Sequence, residues 1–315
     1  MPIKVHMGVY DLCETDCDTY TMSYKALLAL QSIKGNLTRK IAYYEKGMMA
    51  VEKEQHELLS DIQTAIDDEQ FEIWFQPQFD FSKGSITGAE ALIRWYFKGN
   101  IVSPGEFIPI LEKDGSICRL DFYVLDKVCA FLKKLREEGQ DYLKISVNFS
   151  RCHMENKHLA EDIVAVIDKH GVPHKYIEVE LTESEDFKDY EEISKLVNKL
   201  KQYDIATSID DFGTGYSSLN MLRLAEIDLL KIDRSFVQMD EEFERKFRDI
   251  VMLKNIVRMA KELGIQIVAE GVETKEQYEY LSTTGCDMMQ GYYFDKPLPE
   301  NEFIKRLKIG KYEER

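Results

Sequence analysis

The stretch YLKISVNFSRCHMENKHLAEDIVAVIDKHGVPHKYIEVELTE, residues 142–183, holds one strand–helix–strand repeat. Its ends, YLKISVNFS (142–150) and YIEVELTE (176–183), are short β-rich runs. Between them HLAEDIVAVIDKHG (158–171) is amphipathic with helical periodicity. Two strands joined through a helix favour parallel pairing, because a parallel connection has to cross back over the sheet. The rest of the fold can be predicted outward from this repeat.

The same alternation of strands and helices runs from Gln70 to the end of the chain. Eight strands with helices between most of them predict an α/β fold, a (β/α)8 TIM-like barrel. The first two strands are separated only by SKG (82–84), which predicts a hairpin and therefore one antiparallel strand. The other candidate strands are 71–79, 85–95, 205–211, 227–235, 265–271 and 286–293, and further helical segments are 125–139, 190–203 and 249–264.

A smaller segment precedes the barrel. Residues 3–10, IKVHMGVY, alternate like a strand, and residues 23–35 predict a helix. The charged stretch 40–69 carries apolar residues on one helical face, so we expect a helix that leads into the barrel.

Composition excludes some classes of protein. The formal net charge of −16 argues against binding to a nucleic acid polymer, which requires a basic surface. No apolar run approaches the ~18 residues that span a bilayer, and no signal peptide is recognisable. The six cysteines are scattered, which is typical of reduced thiols in a cytoplasmic protein.

Polar side chains recur where the candidate strands end. Because the carboxyl ends of barrel strands meet at one rim, we expect these side chains to converge there. A single acid could equally be a solvated loop residue or a helix cap, but the recurrence favours a site. The residues are Glu90, Asn148, Glu180, Asp210, Lys231, Asp233, Glu270 and Gln290.

These residue types indicate a hard metal ion. Several carboxylates and one amide oxygen, without Cys or His, suit Mg²⁺ or Mn²⁺, and there are enough ligands for two ions. Such a pair activates water and binds a phosphoryl oxygen. Lys231 has two possible roles: it neutralises the acids, or it orients the attacking water and stabilises charge in the transition state.

The adjacent acids in SIDDFGTGYSSL (208–219) pose a geometric problem. Neighbouring side chains on a strand point to opposite faces, so Asp210 and Asp211 can serve one site only if the chain turns there. Gly213 and Gly215 give the backbone that freedom. We expect Asp210 to face inward and the following loop to be movable.

Seven motifs follow one another along the chain: EALIRW (90–95), VNFS (147–150), ELTES (180–184), DDFGTGYSSL (210–219), KIDRSFV (231–237), AEGVET (269–274) and QGYYFDKPL (290–298). In order and spacing they resemble the EAL-domain family of cyclic-di-GMP phosphodiesterases. The resemblance covers roughly residues 57–310 and implies metal-dependent hydrolysis of cyclic-di-GMP to linear pGpG. FQPQ (75–78) and the segment after Trp95 depart slightly from the family pattern.

The resemblance also implies a role for each matching residue. Two ions would share one acid: the first bound by Glu90, Asn148, Glu180 and Asp210, and the second by Asp210, Asp211 and Glu270. The catalytic residues would be Lys231 and Asp233, which hold the water, and Glu270, a possible general base. Substrate contacts would come from Gln76, Leu92, Arg94, Glu273 and Gln290. Glu183 would brace the loop 211–219.

The resemblance extends to the domain organisation. Residues 1–45 are similar to the C-terminal end of a GGDEF domain without its defining motif, so no cyclase activity is expected. Residues 46–56 would form a linker helix, and 57–312 the phosphodiesterase domain. The family implies a homodimer formed near 211–219. Two alternatives remain open: a catalytically silent cyclic-di-GMP receptor or regulatory interaction module, and an unrelated barrel metalloenzyme such as a lyase.

Overall fold

Two units, Met1–Asp68 and Glu69–Arg315, divide the chain in the computed structural model. The structure describes residues 5–12, 18–33, 40–97, 99–182, 187–213, 218–238 and 243–309. Within these ranges the side chains of 54–56, 187–190, 218–220 and 243–246 are not described.

The first unit is a small strand–helix–strand arrangement followed by a longer helix. Strand β1 (Met7–Val9) pairs in parallel with β2 (Ile41–Tyr43), and α1 (Thr19–Gln31) connects them. The helix packs closely on β1, since a Cβ added at Gly8 would lie 2.0 Å from the Ala26 carbonyl oxygen.

The charged stretch 40–69 contains a helix, α2 (Met48–Asp67). Residues 41–43, at the start of that stretch, are extended and hydrogen-bonded to β1. The linker helix at 46–56 and the domain boundaries at 45 and 57 stay predictions.

The second unit is a closed eight-stranded barrel. Neighbouring strands pair in sequence order, and pairing of the first strand with both the second and the last closes the barrel. The first strand is antiparallel to both neighbours, whereas the other pairs are parallel, as the hairpin predicted. The barrel strands are β3 (Phe71–Asp80), β4 (Ser85–Phe97), β6 (Lys144–Phe149), β7 (Ile177–Thr182), β8 (Ala206–Phe212), β9 (Leu229–Ile232), β10 (Gln266–Ala269) and β11 (Met288–Met289).

Helices cover the outer face of the barrel. Strand β4 illustrates this packing. Its alternate residues Ala89, Ala91, Ile93 and Trp95 are buried, and the Trp95 ring contacts Phe107. Burial of a large apolar side chain such as Ile93 contributes about 1.5–3 kcal/mol by removing it from water. The helices are α3 (Pro104–Asp114), α4 (Ile117–Glu137), α5 (Leu159–His170), α6 (Phe187–Gln202), α7 (Ser218–Leu224), α8 (Arg234–Val237), α9 (Phe243–Glu262), α10 (Lys275–Ser282) and α11 (Glu300–Ile309), and two short strands, β5 (Asn100–Val102) and β12 (Leu298–Pro299), extend the sheet.

Two barrel strands are shorter than the sequence predicted. The run 227–235 is extended only over Leu229–Ile232, because Asp233 caps α8 by accepting a hydrogen bond from the Ser235 amide at 2.9 Å. The run 286–293 is extended only over Met288–Met289. The chain then turns at Gly291, where an added Cβ would lie 2.2 Å from the Val272 carbonyl oxygen. Asp233 and Gln290 therefore follow these two strands, whereas Lys231 lies within β9.

Two further expectations concern membrane-spanning segments and the oxidation state of the cysteines. No helix within the described residues combines the length and apolar character needed to cross a membrane. Cys118, Cys129, Cys152 and Cys286 are free thiols. Cys13 and Cys17 lie outside the described residues.

Candidate active site

The strand register brings polar side chains from distant parts of the chain to one end of the barrel interior. Glu90 lies opposite Gln76 on β3, and Asn148 lies opposite Glu180 on β7. Asn148 Nδ2 donates to Glu90 Oε1 at 3.4 Å. Gln290 Nε2 donates both to the other oxygen of Glu90 and to Gln76 Oε1, the latter at 3.2 Å. Residues separated by more than 200 positions thus form one hydrogen-bonded cluster.

Lys231 lies at the centre of this cluster. Its side chain is 1% exposed, and its Nζ lies 3.2 Å from Glu90 Oε2, 3.1 Å from Asp210 Oδ1 and 2.8 Å from Glu270 Oε1. The same ammonium group also contacts Glu180 Oε1. We call these four acids, Glu90, Glu180, Asp210 and Glu270, the acidic ring.

One lysine does not satisfy the acidic ring. An ammonium group has three N–H bonds, and Asp210 Oδ1 and Glu270 Oε1 lie within ion-pair distance of it without hydrogen-bond geometry. Glu180 Oε2 is also buried without a hydrogen-bond partner among the described residues. Buried charged oxygens left in this way are costly unless a cation binds them.

The two neighbouring aspartates reach the same region by a local distortion of β8. Its pairing with β9 shifts register between Ile209 and Phe212, and Asp211 has a φ of 53°. The bulge and the left-handed residue turn the second side chain back toward the first. One carboxylate oxygen each of Asp210, Asp211 and Glu270 lies within 4.8 Å of the others.

Burial and mutual repulsion change the acidity of these groups. Burial raises the pKa of Glu270 to about 8, opposed by Lys231 and assisted by the carboxylates of Glu90 and Asp210. Burial also raises the pKa of Asp211 to about 6, with Asp210 and Asp233 contributing. Glu270 and Asp211 therefore hold their protons more tightly than exposed carboxyl groups do.

The pKa of Lys231 shifts in the direction that keeps its ammonium group charged. Burial alone would lower the pKa of its ammonium group, but Glu180, Glu270, Glu90 and Asp210 outweigh burial and hold that pKa well above its ordinary value. The lysine is therefore a permanent positive charge inside the barrel.

The donor set fits divalent metal ions. It consists of carboxylate and amide oxygens, and three buried acid oxygens have no hydrogen-bond partner in the described part of the chain. Hard ions such as Mg²⁺ and Mn²⁺ prefer such ligands. Asp210, Asp211 and Glu270 could hold one ion. Glu90 and Glu180 contact the same Lys231 ammonium group as Asp210, and Asn148 donates to Glu90.

Residues predicted to contact substrate lie around the rim. Leu92 and Arg94 are half-buried and line a cavity of about 240 Å³ next to Asn148. Arg94 Nη1 donates to the Ile93 carbonyl at 2.8 Å, and burial lowers the pKa of its guanidinium. Glu273 is exposed, and its amide donates to Gln277 Oε1 at 2.7 Å. Glu183 lies outside the described residues.

Sequence reasoning missed one residue beside this rim. The Arg94 guanidinium carbon lies 5.5 Å from the centre of the Trp74 ring, a cation–π distance. Trp74 pairs with Leu92 across the hairpin. Counting from the residue pair next to the SKG connection would have placed it opposite Ala91, because the register shifts between Gln78 and Phe79.

Several known proteins are similar to this chain in sequence. A family model described as EAL domain matches residues 59–297. The cyclic di-GMP phosphodiesterase NbdA of Pseudomonas aeruginosa is 31% identical over 300 residues, which are 95% of this chain and 38% of NbdA. The cyclic di-GMP phosphodiesterase PdeL of Escherichia coli is 32% identical over 252 residues, covering 79% of this chain and 69% of PdeL. This chain thus spans well under half of NbdA.

A solved structure supports the same comparison. The PaMucR phosphodiesterase in complex with c-di-GMP superposes with a TM-score of 0.72 at 32% sequence identity. The match covers 78% of this chain and 99% of that one. The barrel with its antiparallel strand is therefore the fold of a known phosphodiesterase.

Proposed function

The chain belongs to the EAL domain family, and from this premise we propose that it hydrolyses cyclic di-GMP to linear pGpG. The single observation that carries the proposal is the acidic ring around a fully buried lysine at one end of the barrel. A structural role alone would not require four carboxylates there. The names of NbdA and PdeL and the ligand bound to PaMucR supply the substrate.

We propose that two divalent ions, Mg²⁺ or Mn²⁺, bind in the ring. Glu90, Asn148, Glu180 and Asp210 would hold the first, and Asp210, Asp211 and Glu270 the second. The ions would supply Lewis-acid chemistry, by neutralising a phosphoryl oxygen and making water a better nucleophile. The unpartnered oxygens of Glu180, Asp210 and Glu270 support this assignment.

The residues of the chain then have separate tasks. Lys231 and Asp233 hold and orient the water, and Glu270 accepts its proton. The pKa of about 8 for Glu270 in the metal-free protein lies near the working range of a general base. Protonation of the leaving oxygen by solvent completes cleavage of one phosphodiester bond.

Substrate binding relies on the rim. Arg94 carries the positive charge suited to a phosphate, and the Trp74 ring beside it limits its orientations. Leu92 supplies apolar contact at the edge of the cavity. Gln76 and Gln290, already hydrogen-bonded to each other, are placed to contact the dinucleotide. Glu273 completes the rim, and Glu183 would brace the loop 211–219.

The test is a hydrolysis assay with the purified chain. Cyclic di-GMP incubated with Mn²⁺ should give pGpG, detected by chromatography and mass spectrometry, and EDTA should abolish the product. Lys231→Ala should lose activity, and circular dichroism should accompany this assay to check that the variant is folded. Tight binding of cyclic di-GMP without product under any metal ion would contradict hydrolysis and favour a silent receptor. A failure to bind the dinucleotide would favour an unrelated metalloenzyme.

We also propose the remaining organisation from the family resemblance. Residues 1–45 would be a GGDEF remnant, 46–56 a linker helix and 57–312 the phosphodiesterase domain. The protein would form a homodimer through elements near 211–219 and act in the cytoplasm, which the four free thiols support. Light scattering over a dilution series tests the dimer, and a monomer throughout would contradict it.

A further inference from the structure

The position of the Lys231 ammonium group indicates what balances the charge of the acidic ring when no metal is bound. Its Nζ contacts carboxylates from four strands or strand ends, and Glu90, Glu180 and Asp210 among them are proposed ligands of the first ion. We propose that Lys231 is the internal counter-ion of the acidic ring, and that its ammonium group competes with divalent cations for the same carboxylates. This inference rests on the proposed metal site.

The first step is that the ring depends on this lysine. In the described part of the chain, the ion pairs within 4.0 Å of the four acids all involve Lys231. Glu180 is 0% and Glu90 9% exposed, so water has little access with which to replace a missing counter-ion at these two acids. Several buried carboxylates without a cation would repel one another and take up protons.

The second step is that the ammonium group and a divalent ion cannot occupy the ring together in this arrangement. Glu180 Oε1 is directly engaged by the lysine, and Glu90 Oε2 lies at 3.2 Å from it. A divalent ion bound to those oxygens would face a positive charge at close range in a buried site. The flexible side chain of lysine allows its ammonium group to withdraw from both acids while the strands stay in place.

The third step links this exchange to catalysis. Before metal binds, the lysine keeps the four carboxylates together, so the site is assembled in advance. The same displacement then frees the ammonium group for the attacking water, so Lys231 takes up its catalytic position only after metal has bound. The metal affinity of the wild-type protein is consequently lower than its ligands alone would give.

A matched pair of variants tests the competition without measuring activity. Lys231→Met removes the positive charge and retains much of the apolar volume. Lys144→Met removes a lysine charge at the other end of β6, where Nζ lies 3.9 Å from Glu178 and the side chain is 36% exposed. Mn²⁺ binding is measured by calorimetry for both variants and the wild type, at increasing pH until the affinity stops rising.

Lys231→Met should then bind Mn²⁺ at least tenfold more tightly than the wild type, and Lys144→Met should bind within twofold of it. Equal or weaker binding by a folded Lys231→Met protein would overturn the inference. An equal gain in both variants would also overturn it, because a general charge effect would then explain the result.

A second measurement needs no variant and stands if Lys231→Met fails to fold. Crystals of the wild type are compared after EDTA treatment and after soaking in Mn²⁺, with the ions located by anomalous scattering. Nζ should lie against Glu90 and Glu180 without metal and beyond 4.0 Å from both with metal. An unchanged lysine position contradicts the competition. Displacement in a protein that does not cleave cyclic di-GMP contradicts only the proposed function.

Discussion

Asp210 and Asp211 are neighbours on one strand, and yet their carboxylates approach the same point as Glu270. The left-handed backbone of Asp211, with φ of 53°, and the register shift before Phe212 produce this arrangement. The two acids are therefore not equivalent: Asp210 lies in the ring around Lys231, whereas Asp211 depends on a strained turn.

The two aspartates should differ when substituted. Asp210→Asn should reduce hydrolysis by at least about 100-fold, because a charged ligand shared by both ions is lost. Asp211→Asn should keep the fold, since Asn tolerates a positive φ, and should lose one of two bound Mn²⁺ ions. Asp211→Val should cost a further ~1–2 kcal/mol of stability through backbone strain. Metal counting and thermal melts check these outcomes, and equal melts for the two Asp211 variants would contradict the strain.

Substitution of Gly213 should lower the stability of the protein for two separable reasons. Its φ is +99°, and an added Cβ would lie 2.4 Å from Cε2 of Phe236. Gly285 is the matched control, with φ of +95° and its nearest neighbour, Val257 Cγ1, at 3.7 Å. Gly285→Ala should cost about 1 kcal/mol from backbone strain alone, and Gly213→Ala should cost more and also lower turnover. Denaturant unfolding measures the loss of stability in both variants. Equal losses would show that the Phe236 ring moves away freely.

The metal-free protein should lose stability as pH rises. The pKa of Glu270 is about 8 in the folded state, above its ordinary value of 4.5, so the folded state binds this proton more tightly. The contribution is complete below about 4.5 and disappears as pH passes through 8. Asp211, with a pKa of about 6, acts in the same direction at lower pH. Melting temperatures in EDTA should therefore fall between pH 6 and 9.

Two controls isolate this pH effect. Glu270→Gln should have a shallower pH dependence, because the amide does not titrate. Saturating Mn²⁺ should also flatten the curve, since it holds the carboxylates in their charged form. A metal-free melting temperature that rises from pH 6 to 9 would contradict the assigned direction.

Arg94 and Trp74 should affect substrate binding to different extents. Arg94→Lys should raise KM about 10- to 100-fold, because lysine cannot form two parallel hydrogen bonds to a phosphate. Trp74→Leu removes only the ring at 5.5 Å from the guanidinium and should raise KM about two- to fivefold. Steady-state kinetics with cyclic di-GMP test the order, and a larger effect for Trp74 would mean that the ring contacts the substrate itself.

The sequence by itself determined the barrel and most of the rim. Strands alternate with period two and end in polar residues, and both signals are local. Counting them located Glu90, Asn148, Glu180 and Asp210, and the short SKG connection located the antiparallel strand.

Only the tertiary structure decided how these residues meet. Barrel closure brings Gln290 to Glu90 and places Lys231 among four acids, because distances between strands depend on pairing partners far along the chain. Asp233 became a helix cap and Asp211 a left-handed residue for the same reason. Aspartate is favoured at helix N-caps and tolerates a positive φ, so the residue type allows both conformations. The point at which each strand stops pairing depends on the closed barrel and not on local propensity.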